Sequence, residues 1–190
     1  MIADSEVRHA VVVFLQDYFR AFAEGLADAP PDVRESLSRS FVFREASGDP
    51  QALSLLEARL PVAMPPALRA FLSVGHFPAI EVGDFTLPGV EPPEPLSAVS
   101  RLLLAQELWP AGYLQVGFGP GGDPLCLDVA VSTSSGDFPV VVFNHDVIPH
   151  GAWASRDRLS AFAVPVAGSF LALLEGLCTG TQGPPWGSAG

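Results

Sequence analysis

The sequence predicts an α+β fold in which a mostly antiparallel, twisted sheet packs against several helices. Apolar residues recur at three- and four-residue steps near both ends of the chain, a pattern typical of amphipathic helices. Between positions 113 and 143, apolar stretches separated by glycine and proline predict strands joined by turns. With 190 residues, 48% of them hydrophobic, the chain is long enough for one domain with a sizeable core.

Residues 1–48 are expected to form a helical extension packed on that core, because they hold too little apolar surface to stand alone. A helix is predicted from about Asp4 to Leu26, and its apolar stripe consists of Val7, Val11, Phe14, Tyr18 and Phe22. Two prolines at 30 and 31 end it, and a short helix follows with Val33 and Leu37 on one face. A brief strand is expected over residues 41–43.

The main domain is expected to span residues 49–178 and to open with two helices. Asp49 can cap the first helix and Pro50 suits its first position. Its buried stripe consists of Leu53, Leu56 and Leu60. The second helix begins at Met64-Pro65-Pro66 and ends near Gly75. Its inward residues are Leu68, Phe71 and Leu72.

Residues 79–87 predict one strand with Ile80 and Val82 on one face. A proline-rich acidic loop follows over residues 88–95. Ser97 can then cap a helix that Trp109-Pro110 ends. Its apolar and amide residues are Val99, Leu102, Leu103 and Gln106.

A meander of three strands comes next. One face of the first strand holds Leu114, Val116 and Phe118, and one face of the second holds Leu125, Leu127, Val129 and Val131. The glycine-rich loop between them can adopt the positive φ angles of a hairpin. Val140 to Phe143 is continuously apolar, which favours a central strand covered on both faces. Residues 158–164 are interpreted as a short strand or helix edge, a last helix follows, and residues 179–190 are expected to be a disordered tail.

The charge pattern excludes some classes of partner. The net charge is −11, and all ten basic residues are arginine. An acidic surface repels nucleic acid and anionic membranes, so neither is expected as a ligand. The stretch between Ala70 and Ser155 contains nine Asp or Glu residues, and Arg101 is its one Lys or Arg residue. This asymmetry favours a basic partner, and a simple solvated acidic face is the alternative.

Cys126 and Cys178 form no disulfide framework and are expected to be small buried apolar residues. The chain shows no secretory signal pattern and no long apolar window, so a cytoplasmic protein is expected.

One group of His and Asp residues has side chains that could coordinate a metal ion. His145-Asp146 could bind a metal together with Asp123 and Asp128. Their spacing matches no standard metal motif, however, and such residues also cap turns where strands end. There is also no nucleophile elbow or phosphate loop. We therefore assign no catalytic, cofactor or metal residues and expect no cofactor.

Surface residues form a second group of candidates. Trp109 is expected in the core, whereas Trp153 is either an exposed anchor for a partner or a loop packing residue. The candidate partner-binding residues are Glu81, Asp84, Glu91, Glu94, Asp123, Asp137 and Trp153.

Several segments in residues 50–177 occur in the order seen in one family. They are the proline-led helix at residues 60–72, Trp109-Pro110 with the strand at 113–117, the Gly-Gly-Asp turn at 121–128, the strand ending at 142–146 and the closing helix at 166–174. Together they resemble the SUKH superfamily, which includes a fungal regulator of cell-wall assembly and many bacterial immunity proteins. The residues that carry the resemblance are Trp109, Gly121, Gly122, Asp123, Asp128, His145 and Asp146.

The resemblance implies a non-enzymatic domain that binds other proteins. In bacterial members the implied role is immunity, in which the protein binds and blocks a toxin, often a basic nuclease. Two alternatives remain open: a regulatory scaffold with no toxin partner, and a metal-dependent hydrolase that uses the cluster around His145. The sequence does not predict the oligomeric state.

Overall fold

The computed structural model describes residues 4–46, 48–82, 84–92, 94, 96–104, 107–131, 137–149 and 151–179. In this part of the chain the helices are α1 (Asp4–Gly25), α2 (Pro31–Ser40), α3 (Pro50–Glu57), α4 (Pro66–Ser73), α5 (Ser97–Leu103), α6 (Arg156–Leu159) and α7 (Phe170–Thr179). The strands are β1 (Arg44–Glu45), β2 (Gly75–His76), β3 (Ile80–Val82), β4 (Phe85–Leu87), β5 (Tyr113–Phe118), β6 (Pro124–Asp128), β7 (Val140–Phe143) and β8 (Ala163–Ala167). The expected α+β class is confirmed.

The main sheet is an antiparallel meander in which strands β3 to β8 lie side by side in chain order. Strands β1 and β2 form a separate two-stranded ribbon. In β7, Val140 and Val142 belong to one apolar cluster, whereas Val141 and Phe143 belong to another. This arrangement confirms the prediction that the continuously apolar strand is covered on both faces.

The two clusters differ in size and in what covers them. The larger cluster joins one face of the sheet to α1, α3, α4, α5 and α7. Helix α1 contributes Val11, Leu15 and Phe19 to it and packs against α4 and α7. The smaller cluster, on the opposite face, includes Tyr113, Cys126, Phe143 and Leu159. The sheet is therefore thickly covered on one side and thinly on the other.

Both edges of the sheet are protected. On β3, the hydroxyl of Tyr18 donates a hydrogen bond to the carbonyl of Glu81 (2.9 Å) and accepts one from its backbone N–H (3.1 Å). On β8, Pro165 lies at the middle of the edge strand, where the register with β7 is irregular. Proline and irregular pairing prevent another strand from adding to an edge.

Local signals of helix start were partly confirmed. The side chain of Asp49 accepts hydrogen bonds from the backbone N–H groups of Gln51 and Ala52, as a cap does. Ser97 is wrong as a cap, because it is the first residue of α5 and makes no capping hydrogen bond. Helix α2 forms as expected but buries none of its residues.

Three strand predictions need correction. Residues 79–87 form the two strands β3 and β4, with Val82 opposite Phe85, rather than one strand. The strand expected at 41–43 lies instead at Arg44–Glu45. Strand β6 ends at Asp128, so Val131 lies outside it and is 45% exposed.

Three expectations fall wholly or partly outside the described residues: Gln106, the side chain of Cys178, and the tail from residue 180 onward. In the part of the chain that the structure describes, no helix has the length and hydropathy required to cross a membrane.

Candidate functional site

The motif residues meet around the turn that joins β5 to β6. It consists of Pro120–Gly122, and the carbonyl of Asp123 accepts a hydrogen bond from the N–H of Gly119 (2.7 Å). Gly121 and Gly122 have φ angles of 65° and 91°, which residues with a side chain rarely adopt. The two glycines therefore permit the shape of this turn.

His145 ties the end of β7 to this turn. One carboxylate oxygen of Asp123 accepts a hydrogen bond from the backbone N–H of His145 (2.8 Å) and lies 2.6 Å from its Nδ1. The Nε2 atom lies 3.4 Å from a carboxylate oxygen of Asp146, which is exposed. Asp123 itself is 4% exposed. It therefore acts inside the protein and presents no carboxylate to a partner.

Asp128 belongs to a different contact. Its two oxygens accept hydrogen bonds from Nη1 (2.7 Å) and Nη2 (2.9 Å) of Arg156, in α6. Nη1 also donates to the carbonyl of Ala111 (3.2 Å), and the guanidinium lies 4.9 Å from the centre of the Tyr113 ring. The hydrogen bond to Asp128 raises the pKa of Arg156. Burial, followed by the charge of Asp128, raises the pKa of Tyr113. This contact fixes α6 to the start of β5 and the end of β6.

The cluster proposed for a metal is thus divided between two internal contacts. Asp128 is bound by a guanidinium, and Asp123 is bound by His145. Across the residues with described positions, no group of three or more His, Cys, Asp and Glu side chains is arranged to hold a metal ion.

Cys126 is an unsuitable nucleophile in this structure. It is fully buried, and burial raises the pKa of its thiol far above the usual value of 9.0. Because the thiolate is the reactive form, the thiol is poorly suited to attack a substrate.

A row of paired residues crosses one end of the sheet, and we call it the Phe118 row: Glu81, Thr86, Phe118 and Pro124. Glu81 pairs with Thr86, Thr86 with Phe118, and Phe118 with Pro124. Directly paired residues project to the same face of a sheet. Phe118 is 37% exposed, so at this end the face is open to solvent.

Two cavities adjoin this row. One, of about 480 Å³, is lined by Glu81, Asp84, Phe118 and the glycine turn. The other, of about 210 Å³, is lined by Pro124, His145, Trp153 and, among others, Glu107, Leu108 and Gln115. Gly122 lines both. The glycine turn therefore contributes to both cavities.

Trp153 packs on the protein core and is also partly exposed. Its ring meets that of Phe143 edge to face, with centroids 6.2 Å apart, so it packs on the smaller core. It is only partly buried and also lines the cavity beside His145. Trp109 packs on the larger core as expected, and its Nε1–H donates to the carbonyl of Leu103 (3.0 Å).

The remaining acidic candidates are placed differently from one another. Glu81, Asp84, Glu91 and Glu94 are all exposed. Asp137 is 7% exposed, and its carboxylate accepts a hydrogen bond from the N–H of Phe138 (2.8 Å). The four exposed carboxylates follow one another along β3, the turn to β4 and the loop after β4.

Sequence reasoning missed Phe118 and Arg156. Phe118 was expected on the inward face with Leu114 and Val116. An irregularity between Gln115 and Gly117 reverses the alternation and turns Phe118 outward. No local signal predicts the partner of Arg156, which lies 28 residues away.

No protein-family model matches the chain, and no curated protein matches it.

Proposed function

We propose that the chain is a SUKH-type domain that binds another polypeptide, and that it serves as a bacterial immunity protein by covering a basic toxin. The observation that carries the proposal is the Phe118 row with its adjoining cavity, where an exposed aromatic ring lies near the exposed carboxylates of Glu81 and Asp84. Buried aromatic centres ringed by polar groups are where most of the binding free energy of protein interfaces arises.

The charges around the row favour a basic partner. Glu81 and Asp84 line one adjoining cavity, and Glu107 and the partly buried Trp153 line the other. Apart from His145, no described residue lining either cavity is basic. A surface of one charge sign accelerates encounter with a partner of the opposite sign and orients it. Charge therefore governs the association rate, whereas Phe118 and Trp153 govern the lifetime of the complex.

The protected edges favour binding through side chains over strand addition. A peptide that added a strand to β3 would have to displace the hydroxyl of Tyr18 from both backbone groups of Glu81. On β8, Pro165 has no N–H to offer. Binding through side chains on the open face avoids both obstacles, so the partner is proposed to lie across the Phe118 row.

The test is co-expression with the product of the neighbouring gene, followed by measurement of the complex with purified proteins. We expect a basic partner and an interface of about 1,600 Å² in total. Phe118→Ser should weaken binding at least about tenfold, mainly through faster dissociation. Glu81→Gln with Asp84→Asn should slow association and reduce its dependence on salt.

Matched controls carry the same changes elsewhere. Val33→Ser removes an apolar side chain that is 40% exposed on α2. Asp28→Asn with Asp32→Asn removes two exposed carboxylates, one just before α2 and one in its first turn. Equal effects in test and control variants, or a partner with no basic surface, would refute the proposal. A basic partner that is no toxin would retain the binding function and exclude the immunity role.

A further inference from the structure

A groove between α3 and α5 lies apart from the Phe118 row. Its volume is about 420 Å³, and ligand pockets typically measure about 300–1,000 Å³. Its apolar lining includes Leu56, Leu72 and Val90, which are at most 4% exposed. The groove therefore offers an apolar floor built from rigid elements of the core.

The mouth of the groove carries an exposed apolar side chain. Leu55, on α3, is 63% exposed and lines the groove. A ligand held inside the groove would leave much of this leucine in water, whereas a polypeptide lying across the mouth would cover it. Covering this side chain removes apolar surface from water, which favours binding.

Polar groups in the groove can orient such a segment. The Nδ1 atom of His76 is buried and has no hydrogen-bond partner among the described residues. Arg59 lines the same groove from the end of α3 and is exposed. Arg59 can therefore donate hydrogen bonds to a main-chain carbonyl of a bound segment.

Carboxylates continue from the groove along its outer wall. Glu94 and Ser97 line both the groove and an adjoining cavity of about 400 Å³, which also holds Glu91. No described residue lining that second cavity is basic. If the bound segment places one side chain in the groove, a cationic side chain beside it would therefore lie near the carboxylates of Glu94 and Glu91.

We propose that this groove binds a segment of the partner in which a large apolar side chain is adjacent to Lys or Arg. The apolar side chain fills the groove beneath Leu55, and the cation pairs with Glu94 and Glu91. The inference rests on the proposed binding of a basic polypeptide and names the chemistry of one segment of it.

The test uses the full ¹⁵N-labelled chain and two capped dipeptides, N-acetyl-leucyl-arginine amide and N-acetyl-leucyl-glutamate amide. Both should shift amide resonances of the groove, and the arginine peptide should bind about two- to fivefold more tightly, as expected for an exposed ion pair. Leu55→Ser should weaken both peptides about three- to tenfold. Glu94→Gln should remove most of the difference between them. Val33→Ser is the control and should change neither affinity.

The outcomes separate this inference from the proposed function. Resonance shifts confined to residues outside the groove, equal affinity for the two peptides, or no effect of Leu55→Ser would overturn it. Indole that binds the groove more tightly than either peptide, with no effect of Leu55→Ser, would make it a small-molecule pocket and also overturn it. The Phe118→Ser experiment decides the proposed function independently, because Phe118 does not line this groove.

Discussion

Replacing Arg156 with methionine should destabilise the protein, because it leaves the carboxylate of Asp128 without its charged partner. The side chain of Asp128 is 12% exposed and that of Arg156 is 32% exposed. Breaking a buried ion pair costs about 3–5 kcal/mol, and breaking an exposed one costs about 0–1 kcal/mol. For this intermediate burial we expect a loss of about 2–3 kcal/mol in the free energy of unfolding.

Urea denaturation followed by tryptophan fluorescence measures this loss, and thermal unfolding should show a fall of about 5–10 °C in Tm. Arg158→Met is the matched control, since Arg158 lies in the same helix and is exposed. It should change stability by less than about 0.5 kcal/mol.

A double-mutant cycle isolates the pair itself. Combining Arg156→Met with Asp128→Asn should cost less than the sum of the single changes, by about 1–2 kcal/mol. If Arg156→Met were no more destabilising than Arg158→Met, or if the two single changes were additive, the assignment of a structural role to this pair would be refuted.

Other predictions concern the sheet edge, a turn and the buried thiol. Tyr18→Phe should cost about 1–2 kcal/mol in urea denaturation, because two hydrogen bonds to Glu81 are lost. Burial raises the pKa of Tyr18 above its usual 10.0, so the folded chain keeps a proton that the unfolded chain loses. Stability should therefore fall as the pH rises above about 10, less steeply in Tyr18→Phe. Gly112 has a φ of 79°, and an added Cβ would lie 3.0 Å from the Cβ of Ala130. Gly112→Ala should thus lower the free energy of unfolding by about 1–2 kcal/mol. Cys126 should be alkylated by iodoacetamide at least about tenfold more slowly in the native protein than in urea, as measured by peptide mapping.

Features set by local physics were predictable from the sequence. The continuous apolar run of β7 predicted a strand covered on both faces, because such a run has no polar side to expose. Asp49 followed by Pro50 predicted a helix start, because both act through the first turn alone. Each signal depends on residues close together in the chain.

Features set by register or by distant contacts were not predictable. Residues 79–87 alternate well enough to suggest one strand, yet the pairing of Val82 with Phe85 makes them a tight hairpin. In the candidate site, the irregularity in β5 turned Phe118 outward, and alternation alone does not indicate where such an irregularity occurs. Arg156 was missed because its role depends on α6 meeting the end of β6.

The contact between Tyr18 and β3 links folding to self-association. The hydroxyl of Tyr18 binds both outward-facing backbone groups of Glu81. We therefore expect α1 and the edge strand β3 to detach together. A chain whose first helix has detached would offer an unpaired strand to its neighbours in a concentrated solution. Tags or fusions that strain the beginning of the chain should therefore cause aggregation before any loss of the remaining core becomes visible.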